Sequence, residues 1–135
     1  MDKVIKMCLI HDMGEAITGD IPAFEKTDKD RKIENKKVEL LTDILLEPVR
    51  AEWKALFEEM ETMETQEARL YKSLDKLEAL IQHNEADIST WIPLEYDLQM
   101  TYGNEECKFT EYIQRLRDEV RKDSKRKIEE SKQKD

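Results

Sequence analysis

The 135-residue sequence contains little glycine, proline or cysteine, with three, three and two residues respectively. So few turn-forming residues predict long helices joined by few turns. The two cysteines, Cys8 and Cys107, form no disulfide framework, which argues against a small fold held by disulfides. The sequence also lacks an apolar run long enough to span a bilayer, and it shows no signal-peptide pattern. We therefore expect no membrane partner and a reducing, cytoplasmic compartment.

Positive charge is also scarce. Lysine and arginine number 23 against 32 aspartates and glutamates, which gives a net charge of -9. An acidic chain binds nucleic-acid polymers poorly unless its positive charges are segregated, and the basic residues after Arg115 are mixed with acidic ones. The hydrophobic share of 39% supports one small core. We predict one domain over residues 1–122 and a charged C-terminal tail over residues 123–135.

The predicted fold class is all-α. No stretch shows the period-two alternation of a half-buried strand, whereas apolar residues recur at helical spacing through most of the chain. Residues 92–98 form either a short helix or a packed loop. Beyond Asp123 no apolar face remains, so we expect that end of the chain to fray. Five helices are expected at about residues 2–17, 28–46, 49–63, 65–83 and 107–121.

The segment CLIHDMGEAITGDIP places ionisable side chains in a helix that is apolar nearly all round, the pattern of a buried helix. At about 100° per residue, His11 and Glu15 share one stripe and Asp12 lies beside it, while Asp20 follows the helix-ending Gly19. Buried carboxylates need a compensating Lys or Arg, or a divalent metal ion. Imidazole with carboxylates suits manganese, iron, cobalt or zinc, and carboxylates with water suit magnesium.

One helical turn cannot complete a coordination sphere, so a remote ligand is required. Asp75, in RLYKSLDKLEALIQ, lies at the edge of an apolar stripe and is the best candidate. Structural interpretations stay open for each residue. In the structural interpretation, Asp75 is an ordinary surface residue paired with Lys72 or Lys76. Asp20 is then a turn or cap residue, and the His-Asp pair marks a solvated helix end.

The runs HDMGEAITGDIP and KSLDKLEALIQ together resemble the HD-domain phosphohydrolases, within them the 5'-deoxynucleotidase branch. The resemblance extends from Asp2 to about Leu116. It implies an all-helical bundle around a divalent metal held by His11, Asp12 and Asp75. It also implies hydrolysis of deoxynucleoside 5'-monophosphates to deoxynucleoside and phosphate. Such enzymes typically act as homodimers and use manganese, cobalt or magnesium, and the donor types also allow iron or zinc.

The resemblance further assigns Glu15 and Asp20 to catalysis. Asp20 transfers a proton, and Glu15 positions water or substrate; alternatively both hold a second ion together with the carbonyl of Ile21. The family also has a first metal-binding His on an earlier helix, which this sequence lacks. His83 lies about 12 Å beyond Asp75 on one helix and cannot replace it. An N-terminally shortened HD domain is therefore expected, with weak metal binding and little or no activity.

Two other functions compete with this hypothesis. One is a non-catalytic helical module for oligomerisation or partner binding, because an uncovered apolar face favours association. Metal content distinguishes this module from the enzyme. The other is hydrolysis of an alarmone or a cyclic nucleotide. The runs GDI and LDKLE argue against this second alternative.

Overall fold

All regular secondary structure in the described part of the chain is helical. A computed structural model describes residues 1–19 and 27–133, and no β-strand occurs within them. The all-α prediction is therefore confirmed. None of the helices in these ranges is long and apolar enough to cross a bilayer. The described α-helices are α1 Asp2–Ile10, α2 Glu15–Thr18, α3 Asp28–Asp43, α4 Val49–Thr62, α5 Gln66–Glu85, α6 Pro93–Thr101 and α7 Glu111–Lys132.

Local capping explains several helix starts. At α3, the Thr27 hydroxyl accepts the Asp30 N–H at 3.3 Å, and the Asp30 carboxylate accepts the Thr27 N–H at 2.9 Å, which is a capping box. At α6, Pro93 occupies the first turn, where its missing N–H is no loss. The uncertain stretch at residues 92–98 is therefore helical rather than a packed loop.

The chain divides into two compact units, Met1–Ala68 and Arg69–Asp135. In the first unit, α1 packs against α4, and α3 packs against both α2 and α4. Apolar side chains at spacings of three and four line the contacting faces, as expected for helices buried on one side. The buried members are Val4, Met7 and Ile10 on α1, and Leu56 and Met60 on α4.

The prediction of one continuous helix over residues 2–17, buried nearly all round, is wrong. The helix α1 ends at Ile10, a turn follows, and α2 begins at Glu15. The outer apolar face of this segment is exposed, with Ile5 51% and Leu9 75% accessible. The sequence places apolar residues on every side of α1, but the helix buries only the face that packs against α4.

The second unit has its own apolar core. Leu77 and Leu80 of α5 are buried with Cys107, and α7 contributes Ile113 and Val120. Four partly buried side chains surround them: Leu70, Tyr102, Phe109 and Leu116. Burial raises the pKa of the Cys107 thiol, although the positive charge of Arg117 opposes this shift. The thiol therefore acts as a small core residue.

The last helix begins later than the predicted Cys107 and continues past Arg121. The helix α7 continues from Glu111 to Lys132, and Ser124 within it is fully inaccessible to solvent. The Ser124 hydroxyl lies 3.0 Å from the Gln99 side-chain oxygen and 2.8 Å from the Asn84 side-chain oxygen. Fraying beyond Asp123 was expected because the apolar face ends there. Polar contacts to α5 and α6 instead hold this part of the helix.

Two arginines of α7 bind the C-terminal end of α6. Arg117 is 2% exposed and donates from Nη2 to the Gln99 carbonyl at 2.8 Å and from Nε to the Tyr102 carbonyl at 3.1 Å. Arg121 donates to the Met100 carbonyl at 3.2 Å. These carbonyls lack intrahelical partners at a helix end, and cations are favourable there. Burial lowers the pKa of Arg117. The guanidinium has five N–H donors and no acceptor, so it can bind several carbonyls at once.

The single imidazole of the second unit, His83, joins the end of α5 to the start of α6. Its Nε2 lies 2.9 Å from the Glu95 carboxylate and its Nδ1 lies 2.9 Å from the Ala79 carbonyl. Both ring nitrogens thus face acceptors, which favours the doubly protonated ring. Burial lowers the pKa of His83, but these two hydrogen bonds and the Glu95 charge outweigh it and raise the pKa above 6.5. Burial also raises the pKa of Glu95, but the His83 and Ile92 hydrogen bonds bring it below 4.5.

We expect His83→Gln to remove a pH-dependent part of the stability. A group whose pKa rises on folding stabilises the fold below its unfolded pKa of 6.5, and this contribution is lost as pH rises through the folded value. The lowered pKa of Glu95 adds stability above 4.5 that is lost as pH falls through its folded value. Urea unfolding is expected to show the largest difference between wild type and variant near pH 5–6 and a smaller one at pH 9. A difference that grows with pH would contradict this assignment.

Candidate metal-binding and active site

The His-Asp pair lies in the turn between α1 and α2. Here the backbone bonds run from residue i to residue i+3: the Met13 N–H donates to the Ile10 carbonyl at 3.0 Å and the Glu15 N–H to the Asp12 carbonyl at 2.9 Å. Such bonds give about three residues per turn. The angles expected for a continuous α-helix therefore do not hold across this segment, and Glu15 opens α2 instead of extending α1.

A buried glycine fits this turn against α3. A Cβ added to Gly14 would lie 2.9 Å from Cγ2 of Val38 and 3.0 Å from Cγ of Glu34. Real Cβ atoms are essentially never found so close to other heavy atoms, so any larger residue would push the turn away from α3. Gly14 thus fixes the position of the segment that carries His11, Asp12 and Glu15.

The imidazole and the carboxylate of the pair are held close together. His11 Nε2 lies 3.0 Å from Asp12 Oδ2, and His11 Nδ1 lies 2.8 Å from the Cys8 carbonyl. The Nδ1–H therefore donates to that carbonyl, which orients the ring and directs Nε2 toward the carboxylate. The His11 side chain is 23% exposed and that of Asp12 is 61% exposed. Asp12 is thus accessible from solvent, unlike the buried carboxylate expected from the sequence.

The spacing of this pair fits a shared divalent cation. Two ligand atoms at about 2.1 Å from one ion, in neighbouring octahedral positions, lie about 3 Å apart. His11 Nε2 and Asp12 Oδ2 have this separation. Once His11 Nε2 carries no proton, its nitrogen and the carboxylate oxygen are also the donor types that manganese, cobalt, iron and zinc accept. The donor set present in this turn is therefore compatible with a metal ion.

The structure describes some of the remaining predicted site residues and not others. Glu15 is half-buried at the start of α2. Asp20 and Ile21 lie outside the described residues, so their assigned roles remain predictions. Asp75 lies on α5 in the second unit, and its Oδ2 accepts from the Lys72 ammonium at 2.9 Å with the carboxylate 24% exposed. Of the two lysines considered as its partner, Lys72 is the one the structure pairs with it.

Within residues 1–19 and 27–133, no three side chains of His, Cys, Asp or Glu are grouped so that they could hold a metal ion. The predicted ligands come from both units, with His11 and Asp12 in the first and Asp75 in the second. The first unit thus holds the close pair His11–Asp12, and the second holds the half-buried carboxylate of Asp75. The complete ligand set remains a prediction.

Comparison with known proteins identifies the family. The sequence model described as HD domain matches residues 1–117 of the chain. The chain belongs to the HD-domain family. The matched residues include His11 and Asp12 in the turn between α1 and α2, and their role as metal ligands remains a prediction.

Curated relatives of this HD-domain chain carry nucleotidase names. The mouse protein named 5'-deoxynucleotidase HDDC2 is 37% identical over 86 residues, which cover 62% of this chain and 43% of the relative. The human protein of that name is 36% identical over 62% of this chain and 42% of its own length. The fission yeast 5'-deoxynucleotidase hdd1 is 34% identical over 60% of this chain and 44% of its own length. The chain thus spans less than half of the relatives it matches, and no solved structure matches it significantly.

Sequence reasoning missed two contacts near these residues. The carbonyl of Cys8 orients His11. The two residues are three positions apart, so helical spacing in the sequence could have predicted this contact. The hydrogen bond from Lys76 to Tyr102, adjacent in sequence to Asp75, joins residues 26 positions apart. No local pattern marks such a contact, because it depends on how the chain returns to α5.

Proposed function

We propose that this HD-domain protein is a metal-dependent phosphohydrolase that releases phosphate from deoxynucleoside 5'-monophosphates. One observation carries the proposal: the His11 and Asp12 donor atoms lie 3.0 Å apart in an oriented pair. The substrate class follows the names of the relatives, each a 5'-deoxynucleotidase. Those names favour the enzyme over the non-catalytic helical module and over alarmone or cyclic-nucleotide hydrolysis.

In this proposal His11, Asp12 and Asp75 hold the ion, which is manganese, cobalt or magnesium. When bound, it supplies Lewis-acid polarisation of the phosphoryl group and lowers the pKa of a water. The Cys8 carbonyl keeps the His11 ring oriented toward its ligand position. Lys72 competes with the ion for Asp75, because an ammonium bound to one carboxylate oxygen offsets part of its charge.

Proton transfer is assigned to carboxylates that follow the His-Asp pair. Asp20 transfers a proton between the attacking water and the departing sugar oxygen, and Glu15 positions the water or the substrate. The alternative is that Glu15, Asp20 and the Ile21 carbonyl hold a second ion. Both arrangements require a carboxylate in the charged form near the phosphate.

Assembly and location are part of the same proposal. A homodimer acting in the cytoplasm on a small nucleotide fits the class of enzyme named for the relatives. The exposed apolar face of residues 1–17 supplies surface for association, with Ile5, Leu9 and Ile17 each about half or more exposed. Among the described residues only His11 and Asp12 of the proposed ligands are shown close together, so we expect weak metal binding and slow turnover.

Phosphate release tests the proposal directly. The purified chain is incubated at near-stoichiometric concentration with dAMP, dGMP, dCMP or dTMP and with manganese, cobalt or magnesium. We expect slow release that requires the metal and falls for the ribonucleotide AMP. EDTA is expected to abolish it. Release that is equal in wild type and Asp12→Asn, or no metal-dependent release under these conditions, would contradict the proposed activity.

A further inference from the structure

A lysine of α5 is held in place by a tyrosine hydroxyl and not by a carboxylate of the described residues. Lys76 is half-buried, its Nζ lies 2.6 Å from the Tyr102 hydroxyl, and the same nitrogen is 4.3 Å from the Tyr102 ring centroid. Several other lysines of this unit, such as Lys72, Lys108 and Lys122, are ion-paired. Across the described ranges, Lys76 has no carboxylate within ion-pair distance. Its charge is therefore positioned but not neutralised.

The turn after α6 is shaped to admit this lysine. Gly103 is buried and has a φ of 71°, a conformation that residues with a Cβ rarely adopt. A Cβ at this position would lie 2.8 Å from the Cβ of Lys76. Beside it, the Tyr102 carbonyl accepts from the buried Arg117 at 3.1 Å. The phenol that contacts Lys76 is thus anchored through its own backbone to the core of the unit.

The two polar groups leave unused hydrogen-bond donors on atoms that lie 2.6 Å apart. An ammonium has three N–H donors and no acceptor, so Lys76 must donate to the Tyr102 oxygen. The phenolic O–H is not used in that bond, and no acceptor for it occurs among the described residues. Two N–H donors of Lys76 and the O–H of Tyr102 therefore remain for an external group. Donors on two such close atoms, one of them charged, suit an oxyanion.

We propose that Lys76 and Tyr102 form an oxyanion subsite that binds the phosphate group of a phosphomonoester. Lys76 supplies the charge and Tyr102 positions it while donating a second hydrogen bond. The inference rests on the proposed function for its choice of phosphomonoester. Lys76 directly follows Asp75, the proposed metal ligand on α5, so the lysine of this donor pair lies in the same stretch of helix as that ligand.

Inorganic phosphate is the probe that tests the subsite without turnover. Calorimetric titration of the metal-free chain with phosphate is compared for wild type, Lys76→Met, Lys76→Arg and Tyr102→Phe. Methionine keeps the stem that packs on Gly103 but removes the charge, so we expect affinity to fall about tenfold or more. Arginine is expected to restore most of it, and Tyr102→Phe to lose a smaller factor. Lys122→Met is the matched control, since it removes one charge from an exposed pair on α7.

The outcomes separate this inference from the proposed function. Phosphate binding that depends on Lys76, in a chain that releases no phosphate from deoxynucleotides, supports the subsite and rejects the activity. Metal-dependent release with an unchanged KM and an unchanged inhibition constant for phosphate in Lys76→Met supports the activity and rejects the subsite. Equal phosphate affinity in Lys76→Met and Lys122→Met, or no phosphate binding by wild type, also overturns the inference. Circular dichroism confirms that each variant is folded.

Discussion

Replacing Asp12 by Asn is expected to weaken Mn²⁺ binding by at least about tenfold. The change removes a negative charge from one of two donors that lie 3.0 Å apart. Loss of an outer-shell partner of a metal ligand already costs about 10- to 100-fold in affinity, and a direct ligand is expected to cost no less. Asp12 is 61% exposed, so the variant is expected to keep its fold. Calorimetry or the electron paramagnetic resonance of Mn²⁺ measures the affinity.

Two companion variants make this result specific. Asp97→Asn removes the same charge from an exposed position of α6 and is expected to leave Mn²⁺ affinity unchanged. Asp75→Asn is expected to weaken Mn²⁺ binding as Asp12→Asn does, because Asp75 is the proposed ligand from α5. Equal Mn²⁺ affinities in Asp12→Asn, Asp97→Asn and wild type would contradict the proposed metal centre. Loss of affinity in Asp12→Asn alone would leave the His-Asp pair as a metal site and exclude Asp75.

Replacing Arg117 by Ala is expected to destabilise the protein by about 3 kcal/mol or more. The side chain is 2% exposed, so its removal leaves a cavity, and truncation of large buried residues to Ala costs roughly 2–5 kcal/mol. The Gln99 and Tyr102 carbonyls also lose their donors, at roughly 1–3 kcal/mol for each unsatisfied buried group. Relief from burying a charge without a carboxylate partner offsets part of this loss.

Arg115→Ala is the matched control for that experiment. Arg115 lies two residues earlier on α7, and both it and its partner Glu111 are 77% exposed. Exposed pairs of this kind contribute little, so we expect an unfolding curve close to that of wild type. Thermal unfolding is expected to show a drop of roughly 10 °C for Arg117→Ala. Similar curves for the two variants would show that the buried guanidinium does not hold the end of α6.

Several parts of the fold could be predicted because their causes are local. The start of α3 follows from Thr27 and Asp30, which form a capping box within four residues. The end of α2 follows from Gly19, whose φ of 78° few other residues adopt. The His-Asp pair is adjacent in sequence, although only the structure shows that its side-chain atoms approach to 3.0 Å. These features depend on residues that are neighbours in the chain.

Other features depended on distant residues and could not be predicted. The side chains of Ile5 and Leu9 are exposed although Val4 and Met7 beside them are buried. All four residues are apolar, so composition does not distinguish them. The choice depends on which face of α1 meets α4. The extension of α7 beyond Asp123 likewise depends on Asn84 and Gln99, which contact Ser124 from α5 and α6.

The amino-acid sequence by itself determined the helical class and the family, and it predicts His11, Asp12 and Asp75 as metal ligands. These follow from residue type, short spacings and periodicity, which act along the chain. Only the tertiary structure decided that Arg117 is buried and that Lys76 binds Tyr102. The reason is physical: a charged side chain has the same intrinsic preferences wherever it occurs. Its partner and its contact with water are set by chain segments that folding brings together.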